Sequence, residues 1–230
     1  MNAVSNTDVS ALIFDMDGTM VDSMVWHRQA WLVFAQRHGI KCDVDDLMRR
    51  ITGRNGPECI FELFQRRLPP GQIEAYTLEK ESIYRELFAP EFSEVEGFTR
   101  FANEAHARGL KIGVGTAGDQ YNMAFVLSRL QLAHPPLASV GGDEGLPGKP
   151  EPAIFLEVAH RMGVPPAQCI VFEDAPYGIE AARRAGMRAV GICTGHSADE
   201  LAGPHVVAHA NNFLELLAAQ FLEKHHVKNN

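Results

Sequence analysis

The sequence predicts an α/β protein: a doubly wound parallel sheet, Rossmann-like in topology, with a helical domain inserted after its first strand. Three observations carry that expectation. A short apolar, β-branched run near the amino terminus, "VSALIFD", ends in carboxylates. From Ser23 to about Phe92 every periodic stretch has helical spacing. After Gly97, strand-like and helix-like runs alternate, as they do in chains that lay parallel strands between two layers of helices.

The elements follow in order. Residues 9–15 read as a buried strand, because the run is short, apolar and β-branched. Trp26, Ala30, Val33 and Phe34 recur at helical spacing, and Gly39 ends that helix after His38. Asp43 opens a short helix; Asn55, with Pro57 shortly after it, opens another that carries Ile60, Phe61, Leu63 and Phe64. "QIEAYTLEKESIYRELF" is a fourth helix. Helix "FTRFANEAHARG" then leads to strand "LKIGVGT", and helix "QYNMAFVLSRL" to a short strand near "LASVG". Helix "AIFLEVAHRMG", strand "CIVFE", helix "YGIEAARRAG" and strand "RAVGIC" come next, before a last strand "HVVA" and a single closing helix "FLELLAAQFLEKHH". The expected division is a core of residues 1–22 and 95–230 and a helical insert of residues 23–94.

Composition narrows the function classes. A hydrophobic fraction of 46% with 22% charged residues is ordinary globular composition. The net charge of −8 and the lack of any Lys/Arg cluster argue against a nucleic-acid partner. The start "MNAVSNTDVS" has no apolar signal region, and no stretch approaches the ~20 apolar residues of a membrane span. Cys42, Cys59, Cys169 and Cys193 form no C-x-x-C pair, so free thiols in a cytoplasmic setting are expected.

In open parallel sheets ligands bind beyond the carboxyl ends of the strands. Asp15 and Asp17 in "FDMDGT", Thr116 in "GVGTAG", Lys149 in "GLPGKPEP", and Glu173 with Asp174 in "FEDAPYG" each fall at or just past a predicted strand end. Singly, each has an ordinary reading as a solvated loop residue. A calcium loop is excluded, because it needs glycine at its sixth position and glutamate at its twelfth, where this chain has Met20 and Trp26. "GVGTAG" formally matches a dinucleotide fingerprint, but Asp143 and Glu144 come too late to hold a ribose. "GLPGKPEP" is no Walker loop, since the earlier glycine and the following Ser/Thr are missing. Together the residues say more. Carboxylates gathered at one rim repel by ~4 kcal/mol per close pair at an effective dielectric near ~20. A divalent cation relieves that, hard oxygen donors suit Mg²⁺, and a lysine and a threonine alongside suit an anionic ligand such as phosphate.

These motifs, in this order and spacing, resemble the haloacid dehalogenase superfamily over nearly the whole chain. "DMDGT" is similar to its first motif, Thr116 lies in the second, Lys149 in the third and "ED" in the fourth. The helical insert resembles the cap of the β-phosphoglucomutase-like subgroup, and "VGTAG", "KPEPAIF" and "QCIVFEDAPYGIEAARRAGM" look most like its sugar-phosphate phosphatases. The resemblance implies that Asp15 is the nucleophile and a Mg²⁺ ligand, forming an aspartyl-phosphate. Asp17 would be the general acid and then base, holding the metal through its carbonyl. Asp174 would bind Mg²⁺, with Glu173 near the metal, and Thr116, Ala117 and Lys149 would hold phosphoryl oxygens. In the cap, His27, Trp31, Arg54 and Arg85 would face the site. The implied partner is a small phosphorylated metabolite, and the chain a monomer or weak homo-oligomer. A β-phosphoglucomutase-type transferase is the alternative. Against it, Asp119 stands where a basic group is expected beside a second phosphate, and Gly56 stands at the place of the mutase's cap arginine.

Overall fold

The computed structural model describes residues 9–225. Its centre is a six-stranded parallel sheet: β1 (Ala11–Phe14), β2 (Lys111–Gly115), β3 (Ala138–Val140), β4 (Cys169–Glu173), β5 (Arg188–Ile192) and β6 (Val206–Ala210), in the spatial order β3-β2-β1-β4-β5-β6. The order reverses beside β1, where a doubly wound sheet opens its ligand crevice. Phe14 registers with Val114 on one side and Phe172 on the other. The residues that follow these strands therefore leave the sheet together, at one rim.

The insert contributes α1 (Met24–Arg37), α2 (Val44–Ile51), α3 (Gly56–Phe64) and α4 (Pro70–Phe88). After it come α5 (Phe98–Ala107), α6 (Gln120–Leu127), α7 (Ala153–Met162), α8 (Pro176–Arg184), α9 (Phe213–Ala218) and α10 (Phe221–His225). The starts of two insert helices follow from their sequence. Asp43 accepts from the N–H groups of Asp45 and Asp46 at the start of α2. Asn55 and Glu58 form a reciprocal capping box at the start of α3. The two chain crossings between insert and sheet are paired: Asp22 N–H donates to the Ser93 carbonyl (3.1 Å) and Val95 N–H to that of Met20 (3.0 Å).

Period-two alternation splits β1 between two apolar clusters. Leu12 and Phe14 join Phe98, Phe101, Phe172, Phe213 and Phe221 on one face, while Ala11 and Ile13 join Ile154, Phe155, Val158 and Ile179 on the other. Burial on both faces is why β1 reads as an unbroken apolar run. Rings of Phe14 and Phe172 stack at 4.7 Å, with Phe98 edge-on to Phe14 at 5.2 Å. This pins the strand ends that carry Asp15 and Glu173. The glycines of "GVGTAG" have a packing reason: a Cβ at Gly113 would meet Val158 Cγ1 at 2.5 Å, and one at Gly115 would meet Phe155 Cδ1 at 2.9 Å. They let α7 lie close on β2, which accounts for the pattern without a dinucleotide.

The closing helix differs from the sequence expectation. It is parted into α9 and α10 at Gln220, whose φ is +55°. No glycine or proline marks that break, and His226, part of the predicted helix, lies outside the described residues. Short 3₁₀ turns at Ala89–Glu91 and Pro166–Gln168 were likewise unmarked by periodicity. No described helix is long and apolar enough to cross a membrane.

Candidate active site

At the rim beyond β1 and β4, one oxygen from each of Asp15, Glu173 and Asp174 lies within 4.8 Å of the others. All three residues are buried, as is Lys149. The Lys149 ammonium contacts Asp15 Oδ1 and stands 2.7 Å from Glu173 Oε1. Glu173 uses its other oxygen to accept the Ala175 N–H (2.8 Å), which fixes its orientation. One ammonium cannot balance three carboxylates. Burial pushes Asp15 up to about 8 despite the opposing pull of Lys149, with Glu173 and Asp17 adding to the rise. Burial, then the charges of Glu173 and Asp15, holds Asp174 well above the usual carboxylate range. Burial disfavours the Lys149 cation, but Asp15 and Glu173 more than restore it, so its affinity for a proton rises. The cluster is short of positive charge, and its donors are hard carboxylate oxygens. It fits Mg²⁺ in both respects.

Asp17 sits in a different environment. Its Oδ1 accepts from Ser23 Oγ (2.7 Å) and Tyr84 Oη (3.0 Å). Ser23 precedes α1 but does not cap it; its hydroxyl serves Asp17 instead. His27 Nε2 is 3.0 Å from the same oxygen, within ion-pair range though bent away from a straight hydrogen bond. Burial works to raise the Asp17 pKa, but His27, Ser23 and Tyr84 outweigh it and hold it down at about 2. Thus Asp15 and Asp17, with one residue between them, are pushed in opposite directions: in the metal-free site Asp17 is ionised and Asp15 holds its proton. A divalent cation beside Asp15 would favour its carboxylate form.

The turn after β2 forms a third wall. Thr116 is buried, and its Oγ1 accepts from Gly118 N–H at 3.0 Å. Gly118 in turn accepts from Gly142 N–H at 2.8 Å, which binds the turn to the chain after β3. α6 begins at once, with Asp119 as its N-cap accepting from Asn122 N–H (2.8 Å). A tight turn that leads into a helix start is favourable ground for an anion.

These walls enclose a cavity of about 90 Å³ roofed by the insert. Asp15, Asp17, Thr116, Ala117, Glu173 and Asp174 line it from the sheet side, and His27, Trp31 and Arg54 from the insert. Lys149 lies behind Asp15, outside the lining. Arg85 does not reach the cavity: its Nη1 donates to Asn122 Oδ1 (2.7 Å) and stands 3.8 Å from Asp119 Oδ1. Asp119 is also outside the lining, so it does not stand beside a second phosphate as the sequence suggested; it caps α6 and faces Arg85. Arg54 is held 3.4 Å from Glu62 Oε1, a carboxylate that Arg50 also pairs with.

Four side chains at the site carry no sequence motif. Lys80 Nζ lies 2.7 Å from His27 Nδ1 and donates to Glu81 Oε1 at 2.9 Å. Tyr84 stacks on the His27 ring at 3.7 Å. Asn122 Nδ2 donates to Glu81 Oε2 at 2.7 Å. A signal for two of them existed: Lys80 and Tyr84 share the buried stripe of α4 with Ile83 and Phe88. A lysine on an apolar stripe needs a partner.

Comparison with known proteins agrees with this geometry. Residues 9–186 match the model of the haloacid dehalogenase-like hydrolases. The fructose-1-phosphate phosphatase YqaB of Escherichia coli (strain K12) is 36% identical over 188 residues, 80% of this chain and 96% of that protein. The β-phosphoglucomutase of Bacillus subtilis (strain 168) is 31% identical over 194 residues, 81% of this chain and 84% of that one. The crystal structure of a β-phosphoglucomutase from Clostridium difficile superposes with a TM-score of 0.82 at 24% identity, covering 94% of this chain and 97% of the other, and shares the fold. This chain belongs to the haloacid dehalogenase-like hydrolases.

Proposed function

We propose that the protein is a Mg²⁺-dependent phosphatase of small phosphorylated metabolites, sugar phosphates foremost, that works through an aspartyl-phosphate on Asp15. The observation that carries the reading is the gathering of Asp15, Asp17, Glu173, Asp174 and the Thr116 turn around one cavity roofed by a helical cap. The sugar-phosphate substrate is supported by the likeness to a fructose-1-phosphate phosphatase.

In this mechanism an Asp15 oxygen attacks phosphorus as the ester P–O bond breaks, and Asp17, ionised in the free site, relays to the departing alkoxide a proton that enters with the substrate monoanion. Water then attacks the phosphorus, passing a proton to Asp17; phosphate leaves and the Asp15 carboxylate returns. Splitting one displacement into two easier ones is the gain from a covalent step. Thr116, the backbone of Ala117 and Gly118, and Lys149 stabilise the charge that spreads over the phosphoryl oxygens. Asp15, Asp174 and the Asp17 carbonyl, with Glu173 nearby, would hold Mg²⁺, which supplies further charge neutralisation there. The insert excludes bulk water, and Arg54 at the cavity wall meets the part of the substrate that does not react. Free Cys42, Cys59, Cys169 and Cys193 are consistent with a cytoplasmic setting. Phosphate release from a panel of sugar phosphates and small phosphorylated acids, with and without Mg²⁺, tests the reading: no release from any of them would refute it.

A further inference from the structure

Lys80, on the cap helix α4, is 3% exposed, so its ammonium has almost no water to solvate it. An ammonium only donates. Its two side-chain partners are therefore acceptors: Glu81 Oε1 at 2.9 Å and His27 Nδ1 at 2.7 Å. With a lone pair on Nδ1, the neutral His27 ring carries its hydrogen on Nε2, the nitrogen 3.0 Å from Asp17 Oδ1. The tautomer at Asp17 is thus set by Lys80. Among the described residues, the carboxylate in ion-pair range of Lys80 is that of Glu81; the rings of Trp31 and Tyr84 stand 5.0 and 5.7 Å from its Nζ.

The second oxygen of Glu81 is fixed as well. It accepts from Asn122 Nδ2 at 2.7 Å, and Asn122 Oδ1 accepts from Arg85 Nη1 at 2.7 Å. Because a guanidinium only donates, the amide has one possible orientation. Asn122 is fully buried in the first turn of α6, directly after the Thr116–Gly118 turn. One chain of contacts therefore runs from the helix that carries this turn, through Asn122, Glu81, Lys80 and His27, to Asp17. Neighbouring residues on a helix do not normally face one another. Here Asn122, on the core, holds one oxygen of Glu81 while Lys80 holds the other.

We propose that Glu81 is a positioning residue for the acid–base chemistry of Asp17: through Lys80 it fixes the His27 tautomer, and through Asn122 it ties that setting to the phosphate-side helix when the cap lies on the core. This rests on Asp17 acting as the acid and base of the phosphatase. Glu81→Gln keeps the volume and removes the counter-charge. Lys80 then has only a neutral amide beside it, and its ammonium is no longer held against Nδ1; where Lys80 turns away, His27 can carry its hydrogen on Nδ1, and a lone pair of Nε2 would face the Asp17 carboxylate.

Leaving groups separate this role from a structural one. A sugar alkoxide needs a proton from Asp17 as it departs, whereas p-nitrophenolate leaves without one. In Glu81→Gln, kcat/KM is expected to fall about 10- to 100-fold for a sugar phosphate, within the range that general acid catalysis supplies, and less than about 3-fold for p-nitrophenyl phosphate. Glu81→Asp, which keeps the charge, should recover part of the loss. Equal loss on both substrates, or none on either, overturns the proposal. A second measurement needs no variant: ¹⁵N NMR of the wild-type protein should show His27 protonated on Nε2 and unprotonated on Nδ1, and the reverse overturns the proposal even if Glu81→Gln does not fold. Wild-type protein that releases phosphate from neither substrate would instead refute the phosphatase reading itself.

Discussion

Lys149 Nζ stands 2.7 Å from Glu173 Oε1, and each side chain is 1% exposed. The same ammonium touches Asp15, so it is the internal counter-ion of the carboxylate cluster. Removing one partner of a buried, hydrogen-bonded ion pair costs about 3–5 kcal/mol, because the other charge is left uncompensated. Lys149→Met should therefore lower Tm and abolish turnover. Mg²⁺ bound to the carboxylates would replace part of the missing charge, so it should raise Tm more in Lys149→Met than in the wild type. Thermal melts with and without Mg²⁺ check this; no Mg²⁺ shift in either protein would remove the metal from the cluster.

Asp15→Asn should keep the fold and abolish phosphate release, since a carboxamide is a poor nucleophile. Beryllium fluoride, which mimics an aspartyl-phosphate, should bind the wild type and not the variant. The pH dependence of stability has a definite sign. In metal-free protein the Asp15 pKa is raised from 3.8 to about 8, so folding favours its protonated form. Its contribution to stability is full below 3.8 and is lost as pH rises through about 8. Asparagine does not titrate. Wild-type Tm should consequently fall relative to that of Asp15→Asn across this window, and a constant difference in melts at successive pH values would contradict the raised pKa.

The strand ends of the site were legible in the sequence. Asp15 and Glu173 close apolar runs, and parallel pairing of β1 with β4 brings any residues at those ends together. The cap side of the site was much less so. His27 and Arg54 reach the cavity, yet Arg85 does not, because Asn122 and Asp119 on α6 hold it between cap and core. That contact joins residues distant in sequence, and no local spacing reports it. The role of Asp119 was available: an aspartate just before an apolar helical run is an N-cap candidate. Read only by its offset from the second motif, it looked like a neighbour of substrate.

Arg54 lies on the loop between α2 and α3 and lines the cavity, away from the reacting carboxylates. Its link to Glu62, at 3.4 Å, orients a side chain that is about one-third exposed. Arg54→Ala should lower kcat/KM for the preferred sugar phosphate by about 10- to 100-fold, which is about 1.4 to 2.8 kcal/mol. A substrate too short to reach the cap should be hydrolysed nearly as before. Steady-state kinetics on the two substrates decide it, and equal damage to both would place Arg54 in the core chemistry or in folding.

Phosphatase and mutase start from the same aspartyl-phosphate, so trapping it on Asp15 does not distinguish them. They differ in what attacks it: water, or the hydroxyl of a sugar that already carries a second phosphate. A mutase must keep water out and hold that distal dianion with fixed cations. The likeness to a β-phosphoglucomutase keeps this outcome open, and with Asp119 turned away to cap α6, repulsion from that carboxylate no longer argues against it. The cations are what this cavity lacks. A Cβ at Gly56 would meet Thr77 Cγ2 at 2.3 Å, so any side chain there requires Thr77 to rotate or α4 to shift. Arg85 is spent on Asn122, and Lys80 on Glu81 and His27. Arg54, already shared with Glu62, remains as the cap arginine among the lining residues. Sugar phosphates should therefore release inorganic phosphate, and β-glucose 1-phosphate should yield little glucose 6-phosphate even with a bisphosphate primer. Phosphorus NMR of that one reaction reads both products at once, and glucose 6-phosphate forming faster than inorganic phosphate would make the enzyme a mutase.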